Sequence, residues 1–139
     1  MTHFGRGARL LGLGLLLLGS GREVAAQSTA PPGGEYRKAS QVAGLPDFFP
    51  GLGMLYVQPS TLPGGPYLAY DHEGHLVSSV YMVPLKDIDA HQKLDFLGVP
   101  DIPVDHVDLR YSPGHPSVPD PHYHVILWYI PAAQANALK

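Results

Sequence analysis

VDHVDLRYSPGHPSVPDPHYHVILWYI, residues 104–130, decides the fold reading because two strand patterns of different kind flank a proline-rich loop. From Val104 to Tyr111, Val107, Leu109 and Tyr111 alternate with His106, Asp108 and Arg110, the period of a half-buried strand. From His122 to Ile130 both parities are apolar, with Ile126, Trp128 and Ile130 on one and Tyr123, Val125, Leu127 and Tyr129 on the other. A strand apolar on both faces belongs inside a sheet with a layer on each side. The intervening Ser112–Pro121 holds four prolines and Gly114, which exclude regular structure there.

Upstream, three further strands are expected: Gly53–Gln58, stopped by Pro59; Tyr67–Tyr70, entered through Pro63-Gly64-Gly65-Pro66; and Leu76–Val83. Asp71-His72-Glu73-Gly74 reads as a hairpin turn, with His72 and His75 as solvated residues flanking its tip. Residues 84–97 carry Leu85, Ile88, Leu94 and Leu97 at roughly helical spacing, opened by Pro84 and closed by Gly98, with His91 facing solvent. The expected fold is therefore α+β, mainly antiparallel β, a single small domain over 47–131 with about five strands and one short helix. Residues 27–46, rich in Ser, Pro and Gly without an apolar period, read as a flexible arm, and 132–139 as a tail.

The N-terminus places Arg6 and Arg9 before the apolar run Leu10–Leu18 and then Val24-Ala25-Ala26, the order of a secretory signal cleaved after Ala26. About nine apolar residues fall short of the roughly 20 that span a bilayer, so no integral span is expected after cleavage. Cleavage would reduce nine basic and twelve acidic residues to six and eleven, a net charge of −5. No basic cluster survives to meet nucleic-acid phosphates, and a nucleic-acid partner is not expected. With no cysteine in the chain, stability must come from one core, from association, possible as a homo-oligomer, or from a metal.

Four of the eight histidines lie between positions 106 and 124. His122 and His124, two apart on a strand, project side by side, and His115 in the preceding loop can swing toward them. His106 and Asp108 form a second such pair on the neighbouring strand, which antiparallel pairing is expected to bring near. Neutral imidazoles suit Zn, Cu or Ni, and an aspartate can orient a ligating ring. The chain lacks a Gly-x-Ser-x-Gly elbow, a phosphate loop, a Rossmann glycine pattern and His-Glu-x-x-His, and Ser78 and Ser79 sit in an apolar strand as packing residues. No catalytic residue is assigned.

Asp105-His106-Val107, Tyr111-Ser112-Pro113-Gly114-His115-Pro116 and Pro121-His122-Tyr123-His124 together resemble an uncharacterised family of exported bacterial proteins. That family is similar to a tandem-repeat protein controlled by an extracytoplasmic sigma and anti-sigma factor pair. Its members often read Pro-His-Phe-Asp-x-His-Phe-Tyr where this chain has His124 in place of the aspartate and Ile126 in place of the second histidine. The resemblance implies export, a β-rich scaffold and recurrent histidines at 106, 115 and 122, and no activity.

The combined expectation is a small periplasmic or secreted domain that binds a divalent transition metal through His106, His115, His122 and His124, with Asp108 supporting a ring. Two readings from other classes stand beside it. One is a structural or oligomerising cell-envelope domain whose histidines only satisfy loop hydrogen bonds, and the other is a metal-dependent hydrolase.

Overall fold

The structure, a computed structural model, describes residues 27–95 and 97–139. The export signal expected at 1–26 lies outside the described residues. One antiparallel sheet of six strands organises the rest: β1 (Arg37–Lys38), β2 (Met54–Val57), β3 (Tyr67–Tyr70), β4 (Leu76–Pro84), β5 (His106–Ser112) and β6 (His122–Trp128). Their spatial order is β1-β2-β3-β4-β6-β5, so the last hairpin enters with β6 against β4 and leaves β5 at the edge. Three short helices, α1 (Ala39–Val42), α2 (Leu85–Asp89) and α3 (Ala132–Ala135), fill connections. No described helix is long and apolar enough to cross a membrane.

The mainly antiparallel β reading holds, and β6 lies inside the sheet between β4 and β5, but the side carrying Tyr123, Val125 and Leu127 is only partly covered rather than packed under a second layer. Register then assigns the faces. His122, His124, Ile126 and Trp128 of β6 stand opposite Pro84, Met82, Val80 and Ser78 of β4, and Val80 and Ser78 stand opposite Tyr67 and Ala69 of β3. These residues, with Leu55 and Val57, make one face, which is covered by Ala39, Val118 and Ala135 and by Leu45, Phe49 and Leu52. Tyr56, Leu68, Tyr70 and Leu76 make the other, packed by Ala30, Tyr36, Ile102 and Tyr129.

Three features differ from the sequence expectation. The sheet has a sixth strand because part of 27–46 pairs with it: Arg37 and Lys38 oppose Val57 and Tyr56, and Ala39 is fully buried. Farther upstream, Ala30 N–H donates to Gly74 O (2.8 Å) and Leu76 N–H to Ser28 O (3.0 Å). The segment is held largely through backbone hydrogen bonds, which leave no side-chain period to read. The helix expected over 84–97 is confined to Leu85–Asp89, and His91 takes a left-handed φ of 54° just beyond it. Ile88, Leu94 and Leu97 are exposed, so no packing supports a longer helix, and one turn does not persist on propensity alone.

The third difference is the facing of β5. The strand forms, but His106, Asp108 and Arg110 stand opposite Trp128, Ile126 and His124 and so share the core-side face. Val107, Leu109 and Tyr111 point outward, 55, 67 and 56% exposed. Alternation correctly marks a strand, but the side that is buried follows from register with the neighbour. The polar side chains are accommodated by mutual pairing: Trp128 Nε1–H and Arg110 Nη2–H both donate to Asp108 Oδ2, at 3.0 and 2.7 Å.

Trp128, fully buried at the end of β6 on the larger face, is the side chain on which β4, β5 and β6 converge. Trp128→Ala is expected to lower unfolding free energy by about 3–5 kcal/mol in urea denaturation.

Candidate metal centre

The site grows from the first residues of β6. Strand period puts His122 and His124 on one face, and the loop before them is folded so tightly that His115 returns above that face. Gly114 makes the return possible: its φ is +116°, and a Cβ there would lie 2.2 Å from Pro119 O. Reciprocal backbone bonds between His115 and Val118, both 2.9 Å, close the loop, and the Val118 side chain anchors it in the core.

One ring nitrogen from each of His115, His122 and His124 lies within 4.8 Å of the others, in a group able to hold a metal ion. The ring of His115 meets that of His122 edge-on, with centroids 4.9 Å apart, and lies 5.9 Å from that of His124. His122 Nε2 and His124 Nε2 approach to 3.0 Å. Nitrogens at about 2.0–2.1 Å from one tetrahedral zinc stand roughly 3.3 Å apart. The His122–His124 pair already has nearly that spacing, and the His115 nitrogen lies within 4.8 Å of both.

Hydrogen bonding fixes which nitrogens are free. His122 is fully buried, and its Nδ1 lies 2.7 Å from the Asp120 carbonyl oxygen, which can only accept. Nδ1 therefore carries the proton, and in the neutral ring the Nε2 lone pair is directed at His124. Ser117 Oγ sits 2.9 Å from His115 Nδ1, and in the tautomer where the hydroxyl accepts from Nδ1–H, Nε2 of that ring is the donor to a metal. Backbone carbonyls and hydroxyls orient ligating imidazoles by this device in metal sites generally.

Burial acts on the charge state. It pushes the His124 imidazole down to about 4, with the nearby His122, His115 and Arg110 adding to the effect. His115 is lowered too, by burial first and then by His122. Neutral rings with free lone pairs are the form that binds metal.

His106 and Asp108 do not join the group. An antiparallel hairpin pairs the start of one strand with the end of the next, so His106 stands opposite Trp128, and it is Ser112 that stands opposite His122. The length of the strand separates His106 from the cluster end, about 20 Å at the usual rise. The His106 ring stacks on Trp128 with centroids 5.9 Å apart, and its Nδ1 is 2.7 Å from Asp105 Oδ1. Asp108 is occupied by Trp128 and Arg110. His72 stacks on Phe48 and meets the Lys139 carbonyl, while His75 pairs with Asp71, so neither reaches the site. Asp120 turns its carboxylate to Lys86 and lends the site only its carbonyl. Ser78 and Ser79 are fully buried in β4, where Ser79 Oγ bonds the Tyr129 hydroxyl.

No protein-family model matches the chain, and no curated protein does. The crystal structure of hypothetical protein TTHB210 from Thermus thermophilus matches at 45% identity with a TM-score of 0.62, over 68% of this chain and 92% of that one. The chain belongs to the TTHB210 family. TTHB210 itself is described only as hypothetical, so membership brings a fold and no activity. What the TTHB210 fold provides here is the hairpin that mounts three imidazoles at one end of the sheet.

The supports of those imidazoles, Ser117 and the Asp120 carbonyl, escaped sequence reading. Ser117 lies two residues beyond His115 and Asp120 two before His122. That spacing is a local signal only once the loop is known to turn back on itself.

The metal-free protein should lose stability as pH falls. The unfolded imidazole protonates near 6.5, whereas folded His124 resists protonation to about 4, so the unfolded state binds more protons in that window. Urea midpoints should therefore drop between these pH values, and His124→Gln should flatten the dependence.

Proposed function

We propose that the protein is an exported binding protein that holds one divalent first-row metal ion through His115, His122 and His124. The observation that carries this reading is the 3.0 Å approach of two imidazole Nε2 atoms, one of them on a ring whose Nδ1–H donates to a carbonyl, the tautomer that leaves its Nε2 lone pair free. Such a pair either shares a single proton or shares a cation, and a third imidazole stands above it. Three neutral nitrogens suit Zn, Cu or Ni, and they leave a tetrahedral ion one open position. The chain's order of basic residues, apolar run and Ala-rich cleavage site supports export to the periplasm or beyond.

A second reading, association of copies, is favoured by a separate observation. The outer face of β5 and β6 presents Val107, Leu109, Tyr111 and Tyr123 to solvent as one apolar strip. Contiguous apolar surface of this kind on a soluble chain marks interaction sites.

Recovered from the periplasm of a bacterial host without an affinity tag, the protein should begin at Gln27 and carry one equivalent of metal. His122→Ala with His124→Ala should remove the metal and His106→Ala should keep it. Metal that persists in the double variant rejects the ligand set, and no metal in the parent after supplementation rejects the metal reading. Zinc at about 100-fold its dissociation constant should stabilise the parent by about 2.7 kcal/mol and leave the double variant unchanged.

In sedimentation equilibrium Leu109→Glu should shift the protein toward the monomer mass. A parent already monomeric at micromolar concentration would dismiss the association reading.

A further inference from the structure

Beside the three histidines lies a cleft of about 400 Å³ lined by Leu45, Phe49, Leu52, Leu55, Val80 and Met82 together with His115 and His124. Pro116 and Ser117 of the same loop also line it. The cleft falls within the range of small-molecule sites, roughly 300–1,000 Å³, and has their character, an apolar wall with a few convergent polar groups. Its position relative to the cluster is the decisive feature. His122 is fully buried and does not line the cleft, whereas His115 and His124 do. An ion held by the three nitrogens has its protein ligands on the sheet and loop side, so its remaining position opens into the apolar cleft.

Charge then selects the ligand. Three imidazoles are neutral ligands, and a divalent cation on them keeps its two positive charges at the edge of an apolar chamber, where low dielectric penalises net charge. None of the residues lining the cleft carries a carboxylate. Asp120 is drawn off to Lys86, and Asp108 to Arg110 and Trp128. The compensating anion must come from the ligand. The cleft's length of aliphatic and aromatic wall beyond the imidazoles supplies a place for a hydrocarbon chain and no polar partners for a hydrophilic one.

On the metal reading given above, we propose that the cleft binds a monocarboxylate with an apolar tail, its carboxylate occupying the open position on the metal and its tail lying against Leu45, Phe49 and Leu52. Octanoate is a probe of this chemistry, and acetate is the same head without the tail.

Cobalt(II) in place of the native ion makes both steps visible, because four-coordinate cobalt absorbs in the visible and its bands move when one ligand changes. In the cobalt-loaded protein, octanoate should move the bands at a concentration at least about tenfold lower than acetate, since each buried CH₂ adds about 0.8 kcal/mol and about 1.4 kcal/mol is tenfold. Leu45 is only partly buried, and Leu45→Asn, which adds no charge to the cleft, should leave the cobalt spectrum and the acetate response in place while raising the octanoate concentration needed toward that of acetate.

Equal responses to octanoate and acetate in the parent would overturn the proposal, as would cobalt bands that neither anion moves. Calorimetric binding of octanoate to the His122→Ala, His124→Ala variant as tightly as to the zinc-loaded parent would overturn it too, since the head would then owe nothing to the metal. Failure of the parent to take up cobalt or zinc at all strikes the metal reading itself and this proposal with it. Cobalt uptake without an anion response strikes this proposal alone.

Discussion

Hydrogen bonding of β6 to β4 on one side and to β5 on the other is the constraint on which the rest of the molecule depends. One parity of that strand carries His122, His124, Ile126 and Trp128, and the ladder places them against Pro84, Met82, Val80 and Ser78. The same face thus runs from a buried tryptophan to a pair of imidazoles. A shift of one residue would turn Tyr123, Val125 and Leu127 inward and put the histidines in water. The core and the candidate metal centre are two ends of one register.

That register also explains why the polar side of β5 faces inward. Once Trp128 occupies the core face, its indole N–H needs an acceptor, and Asp108 meets it from the adjacent strand with Arg110 as its counter-ion. The Asp108 carboxylate is held below the usual range by those two donors. A buried indole with a satisfied N–H is compatible with burial in a way that an orphaned one is not. The consequence lies on the outer surface, where the displaced apolar residues of β5 gather with Tyr123.

At the other end of β6 the loop does what the strand alone cannot. Two imidazoles side by side on a strand are a common surface arrangement. A glycine in a conformation closed to other residues, a valine driven into the core and a reciprocal pair of backbone bonds bring a third ring over them. The loop's own polar groups then hold two of the rings by their outer nitrogens. The loop and the segment 44–52 together wall the apolar cleft, so the histidine end of the sheet is sheltered rather than open.

The sequence by itself determined five of the six strands and which strand is interior, because alternation and apolar runs are local properties of a pleated chain. It also determined that any metal here must be held by histidines and carboxylates, since the chain has no cysteine, and it brought His122 and His124 together through the two-residue period. Only the tertiary structure decided that His115 completes the group and His106 does not. Antiparallel pairing sends the start of β5 to the far end of β6, and that is a relation between strands, which no spacing along one strand encodes. It likewise decided the inward side of β5 and the anchoring of residues 27–46, the first through the needs of Trp128 and the second through backbone hydrogen bonds that leave no mark in side-chain pattern.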